Sequence, residues 1–481
     1  MTHFRKLTVL ATGLALAGCN MAPRYVRPAL PVPATSPAGP AYAARSQTEA
    51  QPGMDAAALV DTAWRDFFTE PRLREVIALA LVNNRDLQLA VANVERARAQ
   101  YRGQRAEIFP AIGATGSATF QKSPLGGVAG APGAGQAAGR TDIFSASAGI
   151  SAWEIDLFGR VRNLTRAAQE QFFAVEENRN ATRMSLVAEV ATAWLTMAAD
   201  QDRLQVARKT EAAFGQTVAL TQARFRAGIA SELEVRQART SYDRARADIA
   251  GLTTQVAQDQ NALNLLAGTT VPQEILPQTL GGEGVTIDRL PAGLSSEVLL
   301  RRPDVAAAEH QLIAANADIG AARANFFPRI SLTAALGTMS LGLSNLFASG
   351  SETWSVAPSA TIPIFDFGRN TANLQVSMAS RNAMIAQYEK AVQVAFREVA
   401  DALARRGTIA AQLDAQRSLN ENAEAAYRLS AARFRAGIDG FLTTLDSQRS
   451  AYTAEQDLVT ARLIREANAV EVYRALGGGL K

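Results

Sequence analysis

Side chains able to do covalent chemistry are scarce in this chain. It holds two histidines, His3 and His310, and one cysteine, Cys19. His310 follows Glu309 with no second ligand and no nucleophile at a recognisable spacing, so neither a metal cluster nor a triad can be assembled around it. No Walker-type or Gly-x-Gly-x-x-Gly loop follows a strand-like stretch. The glycine run 477–479 closes a helical pattern, where a phosphate cradle would open one. No enzyme, metal site or bound cofactor is expected. The remaining chemistry lies in one thiol, which cannot form a disulfide within the chain, and in carboxylates such as Asp446 that act through charge alone.

The thiol stands at the end of an export signal. Arg5 and Lys6 precede an apolar run from Leu7 to Ala17, and Ala17 and Gly18 bring small residues up to Cys19. A spanning helix needs about 20 apolar residues, so this shorter run reads as a cleaved signal peptide over 1–18. Leu16 to Cys19 resembles the bacterial lipobox, which implies cleavage before Cys19 and a covalent lipid on its thiol. The alternative is an ordinary signal with an incidental cysteine. Asn20 follows, and by similarity to lipoprotein sorting rules this implies delivery to the outer membrane. Residues 22–53 are rich in Pro, Ala and Gly and read as an extended tail. The whole chain carries 49 basic and 45 acidic residues; without Arg5 and Lys6 the balance is 47 to 45. So even a balance gives no electrostatic case for nucleic acid.

The elements that position everything else are written twice. The heptapeptide at 223–229 recurs letter for letter at 432–438, and Phe158, Gly159 and Arg160 recur as Phe367, Gly368 and Arg369, both at an offset of 209. Upstream, Asn84 to Leu87 answers Arg302 to Val305, and Ile108-Phe109-Pro110 answers Phe326-Phe327-Pro328, both at an offset of 218. The nine extra residues lie in the first copy's Gly/Ala-rich stretch, Pro124 to Arg140. The expected division is a first repeat over 70–269, a Pro/Gly-rich linker over 270–293 and a second repeat over 294–481. Each copy begins with a helical segment (Leu73 to Glu107; Glu297 to Asn325) that Phe-Pro ends. Each continues into a very long helix, Val161 to Ala227 and Arg369 to Ala436, and turns at Gly228 or Gly437. A returning helix follows, Ser231 to Leu266 or Leu442 to Leu476. At 1.5 Å per residue the long helices reach roughly 100 Å. Their apolar stripes are narrow (Val187, Val190, Trp194, Met197, Leu204), which suits coiled-coil packing with water on more than one side. A solvent-exposed coiled-coil rod would show the same stripes.

Between Phe-Pro and Phe-Gly-Arg each copy alternates with period two. The expected strands are about 109–121 and 143–157 in the first repeat, and 328–340 and 353–366 in the second. Ile112, Ala114, Ala118 and Phe120 fall on one face of the first, opposite Thr115, Ser117 and Thr119. Such strands suit a membrane barrel, and a half-buried soluble hairpin would look alike. Four strands cannot close a tube, since small barrels need eight, so a barrel would have to be shared between chains. Two chains would make a barrel filled by side chains, and three would give twelve strands and a lumen.

With these motifs in view, the chain resembles the TolC-type outer-membrane factors, in the NodT/OprM branch of efflux lipoproteins. The likeness is densest at 300–305, 314–330 and 473–479 and in the doubled Arg-Phe-Arg-Ala-Gly-Ile turn. It implies a mixed α and β membrane protein: a homotrimer whose twelve-stranded β-barrel, four strands per chain, continues into a long α-helical barrel. It implies that 19–69 forms an acylated tail and an equatorial segment. It implies a passive exit duct for drugs or other small toxic compounds, serving a periplasmic adaptor and an inner-membrane transporter of the resistance-nodulation-division type. The turns bearing Arg224, Gly228, Arg433 and Gly437 would contact the adaptor. Leu442 and Asp446 would form the periplasmic gate, and Phe434 would help latch the helices. Thr443 stands where some relatives place a second acid, and Gln237 answers Asp446 in the first copy. A duct exporting polypeptides, or a periplasmic structural coiled-coil lipoprotein, is the alternative.

Overall fold

The computed structural model describes residues 20–35, 37–42, 62–122, 140–281, 284–286 and 295–479. Cys19 and the signal lie outside the described residues. The chain divides into two compact units. One comprises Met1–Pro28, Val94–Ala174 and Ala308–Gln387, and the other Ala29–Asn93, Val175–Ala307 and Tyr388–Lys481. The helices are α1 (Trp64–Phe67), α2 (Pro71–Asn83), α3 (Arg85–Ala106), α4 (Arg160–Arg226), α5 (Glu232–Ala267), α6 (Pro303–Ala324), α7 (Arg369–Arg435) and α8 (Phe441–Ala475). The strands are β1 (Ile112–Lys122), β2 (Arg140–Ile155), β3 (Arg329–Ser340) and β4 (Glu352–Thr361). No helix among the described residues is long and apolar enough to cross a membrane.

The first unit holds one antiparallel sheet in the order β1-β2-β3-β4. Its register sorts side chains by face. Ala114 lies opposite Ala148, Ala148 opposite Leu336, and Leu336 opposite Trp354, all on an apolar face. Thr115, Ser147, Gly337 and Thr353 face each other in the same way on the polar side. One irregularity is absent from the alternation: Ser151 and Ala152 form a bulge, with Ala152 at φ 50° and its N–H donating to Thr333 Oγ1 (3.2 Å). The extra residue returns Trp153 and Ile155 to the apolar face beside Leu332 and Ile330. The strand expected to reach 366 ends at Thr361, a correction with a geometric cause. β3 begins at Arg329, opposite Thr361, so residues beyond 361 have no neighbouring strand among the described residues.

Along α6 in the same unit lies the extended tail. Asn316 donates to Pro23 O (2.7 Å), Arg323 to Met21 O (3.3 Å), and Tyr25 and Arg27 both donate to Glu309. A Cβ on Gly320 would fall 2.7 Å from Ala22, so a glycine is needed for the tail to seat. The tail therefore runs antiparallel to α6 and brings residue 20 to the end of the helix that leads into β3. His310 Nδ1 is 2.7 Å from Glu170 Oε2.

The expected first helix of each repeat is broken in the structure. α2 stops at Asn83 and α3 starts at Arg85; in the second repeat a 3-10 turn, Ser296–Arg301, precedes α6. The break positions Asn84 and Arg302, which do equivalent work in the second unit. Asn84 Nδ2 donates to Leu266 O (2.9 Å) at the end of α5, and Arg302 Nη1 to Ala475 O (2.8 Å) at the end of α8. Both satisfy a helix-terminal carbonyl. Arg302 is buried and also pairs with Asp304 and Glu398 (2.8 Å each). These carboxylates hold its guanidinium above the usual arginine range against the opposing effect of burial. Arg302→Met should destabilise the chain by about 3 kcal/mol, because it strands a buried carbonyl and unbalances Glu398. The expected readout is a lower urea midpoint of the detergent-solubilised protein; an unchanged midpoint would refute that role. The linker is also tied down: Trp194 donates to Ile275 O, Gln201 to Pro277 O, and Leu280 N–H to Asp202.

Candidate functional site

Two features could serve a channel: the two-faced sheet and the helix turns. The sheet's apolar face is unfilled by the chain itself. Ile112, Phe120, Leu336, Trp354 and Val356 are all exposed. On the polar face, a Cβ at Gly149 or Gly337 would collide with the carbonyls of Ala334 or Ala146 on the adjacent strand. Glycine in a strand marks such close approach where a sheet bends. β1 and β4 are the free edges.

At the other feature, both turns end their long helices in the same way. Gly228 (φ 72°) and Gly437 (φ 75°) take the left-handed conformation. Ile229 N–H bonds Arg224 O, and Ile438 N–H bonds Arg433 O, each at 2.9 Å. Gly228 and Gly437 N–H reach Phe225 O and Phe434 O. This is the Schellman arrangement, which favours glycine because other residues are strained at positive φ. The surroundings then diverge. Arg433 makes a bidentate pair with Asp439 (2.7 and 2.9 Å), which holds the arginine above and the carboxylate below their usual ranges. Arg224, where Ala230 replaces that acid, lies over the Phe434 ring at 4.6 Å.

Phe434 is 5% exposed and packs with Phe214, Phe441 and Leu445, whereas its first-copy counterpart Phe225 is 45% exposed. The difference is legible on the facing helices: Phe441 and Leu445 stand where the first copy has Glu232 and Arg236, and Phe214 where the second has Ala423. Sequence reading had not singled out Phe441. Leu442 and Asp446, the proposed gate pair, lie together on one concavity with Thr443, Ala423 and Ser450. Phe434 is in the core beneath and does not share that surface. Asp446 Oδ1 lies 3.7 Å from Arg449 Nη1.

Further along, α8 is clasped to α5. Arg449 Nε donates to Ser241 Oγ (2.9 Å) and the Tyr452 hydroxyl to Asp248 Oδ2 (3.1 Å). Burial, and then the charge of Asp248, push the Tyr452 hydroxyl up to about 12, so the clasp keeps its proton through neutral pH. No sequence pattern announced these partners, since they join helices about 200 residues apart.

Asp259 on α5 is buried, and its Oδ2 has no hydrogen-bond partner. Burial and the neighbouring Asp200 carboxylate raise it above the usual carboxylate range. The folded chain therefore binds this proton more tightly than the unfolded chain. The stabilisation is complete below the unfolded value, about 3.9, and is lost as pH rises through the raised folded value. Asp259→Asn should remove this dependence, read as amide protection in 250–267, corrected for the intrinsic pH dependence of exchange, that no longer falls between acidic and neutral pH. An unchanged pH profile in the variant would reject the assignment. No group of three or more His, Cys, Asp or Glu side chains among the described residues could hold a metal.

Comparison with known proteins places these features. The chain matches the family described as Outer membrane efflux protein over residues 76–269 and 294–478. It is 43% identical over 473 residues to the toluene efflux pump outer membrane protein TtgC of Pseudomonas putida, covering 98% of this chain and 95% of that protein. It is 39% identical over 476 residues to the outer membrane protein OprJ of Pseudomonas aeruginosa, covering 98% and 95%. Among solved structures, the open-state MtrE outer membrane channel of Neisseria gonorrhoeae superposes with a TM-score of 0.84 at 37% identity, over 96% of this chain and 99% of that one. A membrane protein from Pseudomonas aeruginosa gives a TM-score of 0.87 at 38% identity, over 96% and 98%.

Proposed function

The chain belongs to the outer membrane efflux protein family, and from that premise we propose that three copies form a passive exit duct through the outer membrane. The observation that carries the reading is the sheet: four strands, one apolar face, one polar face and two free edges. Three such sheets joined edge to edge make a twelve-stranded barrel with a hydrated bore. The long helices α4 and α7, 67 residues each and so roughly 100 Å, line the periplasmic passage. Each chain is an internal duplication, with α4 and α7 as equivalent members.

The chain catalyses nothing; the duct conducts, and its energy comes from partners. Those partners are a periplasmic adaptor, met by the turns at Arg224, Gly228, Arg433 and Gly437, and an inner-membrane transporter of the resistance-nodulation-division type. The cargo is small toxic compounds, a class supported by the relative named for toluene efflux. A lipid on Cys19 anchors the tail, each buried methylene contributing about 0.8 kcal/mol. The tail's course supports this, because it delivers residue 20 to the strand end of α6. Three copies of Asp446 ring the mouth and favour cations, and Leu442 narrows it. Opening is a shift of packed helices with no covalent change.

The test is a clean deletion complemented by the full chain. Restored tolerance to toluene or hydrophobic antibiotics, together with co-purification of an adaptor and a transporter, is expected. Correctly assembled protein that restores nothing and captures neither partner would refute the reading.

A further inference from the structure

The internal duplication contains a finished copy of a seam that the chain leaves open at its own edges. Within one chain, the end of β2 meets the start of β3: Trp153 lies opposite Leu332, and Ile155 opposite Ile330. Just past these pairs the Phe158 ring stacks on Phe327, centroids 4.7 Å apart and planes 20° from parallel. The repeat offsets convert this seam into another. Adding 209 turns Trp153, Ile155 and Phe158 into Ile362, Ile364 and Phe367. Subtracting 218 turns Leu332, Ile330 and Phe327 into Ala114, Ile112 and Phe109. The first set follows β4 and the second lies at the start of β1, on opposite edges of the sheet. They cannot meet within one chain.

Their exposure matches an unmade contact. Phe367 is 89% and Phe109 63% exposed, and Ile364 and Ile112 are exposed beside them. Phe367 also holds φ 53°, a left-handed conformation that bulky residues rarely adopt. Phe365 packs against it, centroids 4.4 Å apart, so two rings are presented outward together. We propose that at the junction between copies Phe367 of one chain stacks on Phe109 of the next, with Ile364 opposite the neighbour's Ile112 and Ile362 opposite its Ala114. The occupant of this edge is a second copy of this chain. The early end of β4 follows from the same cause, since residues 362–364 find their strand partner only in the neighbour. The inference rests on the multi-copy duct proposed above.

The test is a Phe109→Cys/Phe367→Cys double variant, treated with a short bismaleimide in the detergent-solubilised, assembled protein. Covalent dimers and trimers should appear on a denaturing gel, and neither single variant should give them, which controls for Cys19. In parallel, Phe109→Ala should lower the temperature at which the assembly dissociates in dodecyl sulfate, and Phe109→Tyr should restore it. This second arm decides if the double variant yields no protein. Native mass spectrometry of the same samples separates the two readings. An intact oligomer with no crosslink and no shift for Phe109→Ala would overturn the seam alone. A monomer would overturn both the seam and the duct.

Discussion

Arginine at position 334 should all but eliminate assembled protein from the outer membrane, whereas arginine at 147 should leave it near its normal level. Ala334 sits mid-strand on the apolar face, opposite Ile150 on one side and Val356 on the other. Ser147 sits on the polar face, opposite Thr115 and Gly337. A lipid-facing arginine at the bilayer midplane costs about 2–4 kcal/mol. Three chains would multiply this to about 6–12 kcal/mol per barrel, comparable to the whole stability of a folded domain. A lumen-facing arginine stays hydrated and changes selectivity instead. Heat-modifiable oligomer in outer-membrane fractions is the measurement. Equal loss in both variants would mean that the faces are wrongly assigned.

The second large effect concerns the mouth. Leu442→Ala with Asp446→Ala should raise single-channel conductance in planar bilayers several-fold and weaken cation preference. Both side chains are exposed on one concavity, and Asp446 lies 3.7 Å from Arg449. Leu445 and Phe434, by contrast, are buried in the cluster beneath, so Leu445→Ala should damage packing as well as gating. Losing the buried leucine's methyls should destabilise by about 2–5 kcal/mol. Unchanged conductance in a correctly assembled Leu442→Ala/Asp446→Ala channel would remove these residues from the gate.

Much of the fold was legible because it is local. Alternation in 112–121 or 330–336 records which side chains share a face, and a 67-residue stretch low in glycine and proline can hardly be anything but helix. The bulge at Ser151 and Ala152 was not legible, because it shows only when β2 is set against β3. The breaks at Asn84 and Arg302 were hidden for a similar reason. Their role is to bond Leu266 O and Ala475 O, over 170 residues away. At the turns the recurring heptapeptide located Gly228 and Gly437, and their shared hydrogen bonds follow from glycine's freedom at positive φ. The fate of the two equivalent phenylalanines did not follow from their own letters. Phe434 is buried against Phe214, Phe441 and Leu445, whereas Phe225 is exposed, with Ala423, Glu232 and Arg236 at the matching positions. Identical local sequence therefore gave different packing, which follows from the residues on the facing helices.

That edges left open in one chain are closed by other copies around water is tested most directly by native mass spectrometry of gently solubilised protein. A single species of three chains, converting to single chains only on denaturation, is predicted. A stable, folded single chain under the same gentle conditions would contradict it.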